Sequence, residues 1–254
     1  MSVVVPIFNT APYLRQSLDS ALGQTWPRLE YVLVENRSTD GSGAIAAEYA
    51  ARDPRIRLTV NARHLPQLDN LNHGLSLISS ESRYVKMLGS DDWLEPDCVA
   101  RLVEVAERHP SAAFVSSYWR EGERMGGRGL APGAACYPGR EVARAQLLRG
   151  SFVVGSVTTV LYRADMARAR ERFFDPAALN ADTDAAYRLL REHDLGFVHD
   201  VLCHWREDPA SISGRVRDLE PRTLHQVMAL LTHGPEFLAP DELARAMRWW
   251  SLRY

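Results

Sequence analysis

Lysine is almost missing from this chain: all but one of the 30 lysine and arginine residues are arginine, the exception being Lys86. The 32 acidic residues leave a net charge of -2, and no basic block interleaves with aromatics, so no nucleic-acid partner is expected. Cysteine is scarce as well. Cys98, Cys136 and Cys203 are odd in number and far apart, which argues against a disulfide scaffold or a zinc knuckle and favours a reducing compartment. No apolar run approaches the length that spans a bilayer. A glycine-rich dinucleotide fingerprint after the first strand is absent too, since Pro6-Ile7-Phe8-Asn9 stands there. No basic and apolar leader precedes the first strand, so a cytoplasmic setting is expected. The abrupt start and the ending on Trp249-Trp250 raise the expectation of a domain from a longer protein.

What is present is a regular alternation. Val3-Val4-Val5 and Tyr31-Val32-Leu33-Val34 are short runs without alternation, as in buried parallel strands, and Ile56 to Val60 is a weaker third. Leu14, Leu18, Ala21 and Leu22 recur at helical spacing behind Pro12, as do Ile45, Ala46, Tyr49 and Ala50, and Leu68, Leu71, Leu75 and Ile78. A fourth strand ends near Leu88, a helix carries Val99, Leu102, Val103 and Ala106, and Ala112 to Ser116 is a fifth strand. Strand and helix in this order predict an α/β fold, a doubly wound, mostly parallel Rossmann-like sheet with helices on both faces. Residues 121–139 read as a glycine-rich loop, residues 157–162 as a strand, and residues 197–198 and 201–202 as strand fragments. From about Leu219 two helices separated by Gly234-Pro235 form a C-terminal helical extension. The expected division is 1–117, 118–214 and 215–254, the first two being halves of one domain.

In such sheets the ligand crevice lies at the carboxyl ends of the strands. Three ends carry polar groups there: Phe8-Asn9, Glu35-Asn36 and Asp91-Asp92. Two adjacent carboxylates at the end of a buried strand repel one another and resist desolvation, so packing alone does not account for them. A helix N-terminus would favour such charges, and so would a cation or sugar hydroxyls.

Taken together, several of these stretches resemble inverting family 2 glycosyltransferases of the GT-A fold. Val3 to Asn9 with Tyr13-Leu14, Val34 to Ser42, Asn72-His73-Gly74, Leu88 to Asp92 with Pro96-Asp97, Asp182 with Arg188-Leu189, and Arg206 with Ser211-Ile212-Ser213 fall in that family's order. The set runs from residue 2 to about 214. Gly89, Ala181 and Asp208 stand where the family pattern has an acid, a glutamate and a histidine, and Glu35-Asn36 replaces a pair of aspartates.

The resemblance implies a nucleoside-diphosphate sugar donor, carrying UDP, dTDP or GDP, and a glycan or lipid-linked acceptor met at the inner face of a membrane by peripheral association. Polysaccharide or glycolipid assembly is the implied setting. It assigns donor binding to Pro6, Phe8, Asn9, Glu35, Asn36, Asn72, Asp91 and Arg206, and a Mg²⁺ or Mn²⁺ ion to Asp91 and Asp92, with His204 standing in beside Arg206. Oxygen ligands from carboxylates suit either ion, which also shares phosphate oxygens. Asp182 is the expected general base for an acceptor hydroxyl, with Asp184 as competitor and a helix cap as the plain structural role. A catalytically silent relative that binds nucleotide or glycan is the second reading, supported by Gly89, Ala181 and Asp208.

Overall fold

A computed structural model describes residues 1–208 and 221–252. The first half alternates as expected: β1 Ser2–Ile7, α1 Ala11–Leu22, β2 Glu30–Glu35, α2 Ser42–Arg52, β3 Ile56–Val60, α3 Gln67–Ser76 and β4 Tyr84–Met87. A two-residue β5, Trp93–Leu94, and α4, Cys98–Arg108, follow. The second half contains β6 Ala112–Glu121, β7 Arg124–Gly126, β8 Cys136–Tyr137, α5 Gly139–Arg149, β9 Leu161–Arg163, α6 Ala164–Arg168, α7 Ala181–Leu190 and β10 Asp194–Trp205. Two helices close the described chain, α8 Pro221–Phe237 and α9 Pro240–Ser251.

The strands form one sheet in the order β3-β2-β1-β4-β9-β6-β10-β5, with β7 on β6 and β8 on β10. The chain runs outward from β1 to β3, then crosses back to lay β4 on the other side of β1. Strand order therefore reverses between β1 and β4, which opens the crevice beyond Ile7 and Met87. Alternation divides the core between two faces. Val3, Val5, Ile7, Tyr31 and Leu33 pack with α1, α2 and α4 on one side. Val4, Val32, Val34, Val85 and Met87 pack on the other with α3, α5, α7 and the C-terminal helices.

Several expectations change. The sheet is mixed in its second half, since β9 runs antiparallel to both β4 and β6. The apolar run at 157–162 yields a strand only from Leu161, because Val157 to Thr159 make a turn. The two strand fragments are one twelve-residue strand, β10, kept continuous by register shifts against β6. Residues 121–139 are not a bare loop, because β7 folds back on β6 and β8 pairs with β10. Gly234-Pro235 does not separate two helices: α8 runs through it and ends at Phe237. The serines of the Arg206 motif, Ser211 and Ser213, and the start expected at Leu219 lie outside the described residues.

Candidate active site

At the end of β4 the chain turns through Leu88 to Asp92, with Leu88 N–H donating to Val4 O and Asp92 N–H to Gly89 O. The Thr158 hydroxyl donates to Asp92 Oδ2 at 2.6 Å and accepts Gly89 N–H at 3.0 Å. The Arg206 backbone N–H donates to Asp92 Oδ1 at 3.1 Å, and Arg206 Nε donates to Asp91 O at 2.9 Å. The Arg206 guanidinium lies 4.4 Å from the Tyr13 ring centroid and 5.1 Å from that of Trp93. A Cβ on Gly89 would stand 2.8 Å from Asp92 Oδ2 and 3.1 Å from Asp91 Oδ1, so the two carboxylates converge over a position that only glycine leaves open.

Burial, followed by the neighbouring Asp91 charge, pushes the Asp92 carboxyl up to about 7. Asp91 is likewise raised, chiefly by burial. Paired, raised carboxylates form a hard-oxygen donor set that fits a divalent cation, with the Arg206 charge as a partial answer to Asp91. Among the described residues no group of three histidine, cysteine or acidic side chains is gathered for a metal. His204 does not join the pair, contrary to expectation. Its Nε2 lies 2.6 Å from Glu95 Oε1, and its ring stacks on Trp93 at 4.9 Å.

The strand end at Glu35 is more occupied than the sequence implied. Glu35 is buried and accepts the Arg37 and Ser38 amides at 3.0 and 2.5 Å. Asn36 spends its amide on Leu65 O at 2.9 Å, Leu65 N–H at 2.8 Å and Asn61 Nδ2 at 2.8 Å. Asn9, at φ 52°, accepts Thr39 N–H on its Oδ1 at 2.8 Å and donates its backbone N–H to Ser38 Oγ at 3.1 Å. Asp40 accepts Ala11 N–H and Ser42 N–H, so this turn also secures the first turns of α1 and α2. Phe8 is 43% exposed, with its ring 4.4 Å from that of His64, and it caps β1 just beyond Pro6. Asn72 lies apart, bonded in both directions to the Phe174 backbone at 2.7 and 2.9 Å.

Asp182 and Asp184 share the first turn of α7 but differ in kind. Asp182 is only partly covered by area, yet desolvation raises its carboxyl above the usual range, with Thr183 N–H at 2.7 Å as its chief relief. Burial would also raise Asp184, but His233 at 3.2 Å and Arg188 at 2.7 Å hold it below the usual range. Asp184 thus fastens α7 to α8. A hollow of about 220 Å³ between these helices is lined by Asn180, Thr183, Asp184, His225 and His233, and neither Asp91 nor Asp92 borders it. We take the strand-end crevice as the chemical site because the convergent carboxylates are there.

Residues 2–169 match the family model described as Glycosyl transferase family 2. The chain belongs to that family. It is 35% identical over 126 residues to the glycosyltransferase GlyA of Streptococcus pneumoniae, which covers 50% of this chain and 18% of that protein. It is 30% identical over 132 residues to an Escherichia coli chondroitin synthase, again 50% of this chain and 18% of the relative. The matched stretches are thus a small part of these relatives' own length. Among solved structures, Staphylococcus aureus TarS 1-349 in complex with UDP-GlcNAc superposes with a TM-score of 0.68 at 16% identity, over 99% of this chain and 71% of the other. The mannosyltransferase PcManGT of Pyrobaculum calidifontis in complex with GDP-Man and Mn²⁺ gives 0.68 at 18% identity, over 99% and 69%. The fold is therefore that of the GT-A glycosyltransferases.

Two residues at this site carried no functional expectation from sequence. Thr158 falls in a sequence run that reads as an apolar strand, although two adjacent threonines in such a run are a signal of polar work. His64 sits in the polar stretch before α3, and nothing in its neighbours pointed to Phe8.

Proposed function

We propose that this glycosyltransferase moves a sugar from a nucleoside-diphosphate sugar to a hydroxyl acceptor with inversion, in polysaccharide or glycolipid assembly. The observation that carries this is the convergence of Asp91 and Asp92 over Gly89 at the switch between β1 and β4. Both similar structures cited above hold nucleotide sugars, and one holds Mn²⁺, which supports the choice of ligand. Asp91 and Asp92 would hold the Mg²⁺ or Mn²⁺ ion, which when bound supplies positive charge against the departing diphosphate. Arg206, fixed between Tyr13 and Trp93, adds a cation at the same strand ends. The exposed Phe8 ring beside His64 offers a face for the base, and the Pro6 to Asn9 and Glu35 to Asn36 strand ends border it.

Asp182 takes the acceptor proton as the hydroxyl oxygen bonds to the anomeric carbon and the bond from that carbon to the diphosphate oxygen breaks. A single displacement from the face opposite the leaving group inverts the configuration. A raised carboxyl is a stronger base than an ordinary one, and Asp184, held low by its ion pairs, is a poor rival. Among the described residues no helix is long and apolar enough to cross a membrane, so a lipid-linked acceptor would be met from the side.

The decisive experiment incubates the protein with UDP-, dTDP- and GDP-sugars and Mn²⁺ and measures nucleotide release. Turnover with one of them is expected, and Asp92→Ala is expected to weaken nucleotide binding in Mn²⁺. Unchanged affinity in that variant removes Asp92 from cation binding. Nucleotide binding without turnover, across donors and acceptors, would favour the silent relative.

A further inference from the structure

Lys86 is the chain's single lysine and is fully buried on β4, a position where an ammonium is costly unless it is answered. Strand alternation aims it to the side of Tyr84 and Leu88, beneath the carboxylate pair. Its Nζ donates to the backbone oxygen of Thr158, and Cys203 Sγ lies 3.8 Å away. Cys203 Sγ in turn lies 3.9 Å from Cys98 Sγ, so the lysine head is met by one carbonyl and one thiol.

Thr158 joins this buried lysine to the site. Its side chain grips Asp92 Oδ2 and Gly89 N–H, whereas its carbonyl is held by Lys86 and by Cys203 Sγ at 3.3 Å. It stands in a turn just ahead of β9, closed by Thr159 N–H on Ser156 O, and no strand pairing fixes it. Lys86, in contrast, lies in register between Val3 of β1 and Leu161 of β9.

We propose that Lys86 is a positioning residue for the donor site: a strut from the rigid sheet to Thr158 that fixes Asp92 toward the cation-bound diphosphate. The role of Asp92 rests on the function proposed above, whereas the strut itself does not. Removing a hydrogen-bond partner of a metal ligand, as Thr158 is of Asp92, changes metal affinity by about 10–100-fold, and Lys86 acts through that partner.

The 254-residue chain tests this by titration with UDP and GDP in Mn²⁺ and in EDTA, comparing wild type, Lys86→Met, Lys86→Gln, Thr158→Val, the Lys86→Met/Thr158→Val double variant and Asp92→Ala. Lys86→Met and Thr158→Val should each weaken binding in Mn²⁺ by about 10–100-fold, leave binding in EDTA unchanged, and give a double variant no worse than either alone. A Lys86→Met protein that binds as wild type in Mn²⁺, that loses equally in EDTA, or whose loss multiplies with that of Thr158→Val overturns the proposal. Lys86→Gln, one atom shorter and uncharged, is read in the same way if Lys86→Met does not fold. Amide exchange without ligand keeps the two ideas apart. The Gly89 amide should exchange faster in Lys86→Met while the β1–β2 ladder stays protected, and unchanged Gly89 protection sinks the strut. If Asp92→Ala retains full affinity in Mn²⁺, the cation reading fails, and Gly89 exchange alone decides on Lys86.

Discussion

Asp182 and Asp184 stand two residues apart on one helical turn, yet their surroundings pull their protons in opposite directions. Asp182 is desolvated with the Thr183 amide and hydroxyl as its partners, which suits the base role proposed for it, whereas Asp184 is engaged by His233 and Arg188. Asp182→Asn should lower turnover by about 10²–10⁴-fold, the usual contribution of a positioned base, with nucleotide affinity retained. The pH dependence follows in sign. Because the folded Asp182 carboxyl lies above its unfolded value, its contribution to stability is complete below the unfolded value and is lost as pH rises through the folded one. The asparagine variant should therefore gain Tm over wild type progressively across that window, and the acid limb of the wild-type rate profile should lie above the ordinary carboxylate range. A Tm difference that is flat with pH would show that the Asp182 carboxyl is not raised in the folded chain. Asp91, Asp92 and Asp182 were legible because acids at strand and helix ends stand out in a sequence. Thr158 and Lys86 were not, since their role exists only where a turn and a strand distant in sequence meet.

The C-terminal helices show what element patterns can and cannot convey. Two helices are legible from their periodicity, but Gly234-Pro235 in sequence looks like a break between them. In the fold Gly234 O accepts Leu238 N–H, and the helix ends only after Phe237. A Cβ on Gly234 would meet Leu243 of α9 at 2.5 Å, so this glycine marks a close helix crossing. Trp250 of α9, 6% exposed, joins the core cluster on the α5 and α7 side of the sheet, and Gly150 lies against its ring. Trp250→Ala should cost roughly 3–5 kcal/mol by deleting a buried aromatic. Trp250→Phe should cost less, because it keeps most of the packing and removes an indole N–H with no hydrogen-bond partner among the described residues. Gly150→Ala should also destabilise, since φ is 65° there and the added methyl would sit 2.4 Å from the Trp250 ring. Urea denaturation followed by tryptophan fluorescence measures all three. An alanine at 250 that unfolds at the wild-type midpoint would mean that α9 is not part of the core.

At the scale of the whole molecule, a boundary at 117/118 falls inside β6 and divides a strand rather than two bodies. The alternation of the first half made a parallel sheet legible, but not the way the second half completes it. Antiparallel β9 bridges β4 to β6, a pairing that no local pattern encodes because its three residues carry no period of their own. One core cluster accordingly runs from Val4 through Tyr162 and Tyr187 to Trp250. A sheet shared in this way ties the first half of the chain to the second, because Lys86 of β4, Leu161 of β9 and Val115 of β6 lie in one ladder. The described chain should thus unfold as a unit, with far-ultraviolet circular dichroism and tryptophan fluorescence giving one midpoint in urea. A fragment of residues 1–117 would lose the partners of β4 on its β9 side and leave Val85 and Met87 without the layer that covers them. An unpaired apolar edge of that kind favours aggregation, so the fragment should be insoluble or lack near-ultraviolet dichroism. A soluble 1–117 fragment with its own cooperative transition, or two separated midpoints in the full chain, would make the two halves independent folding units.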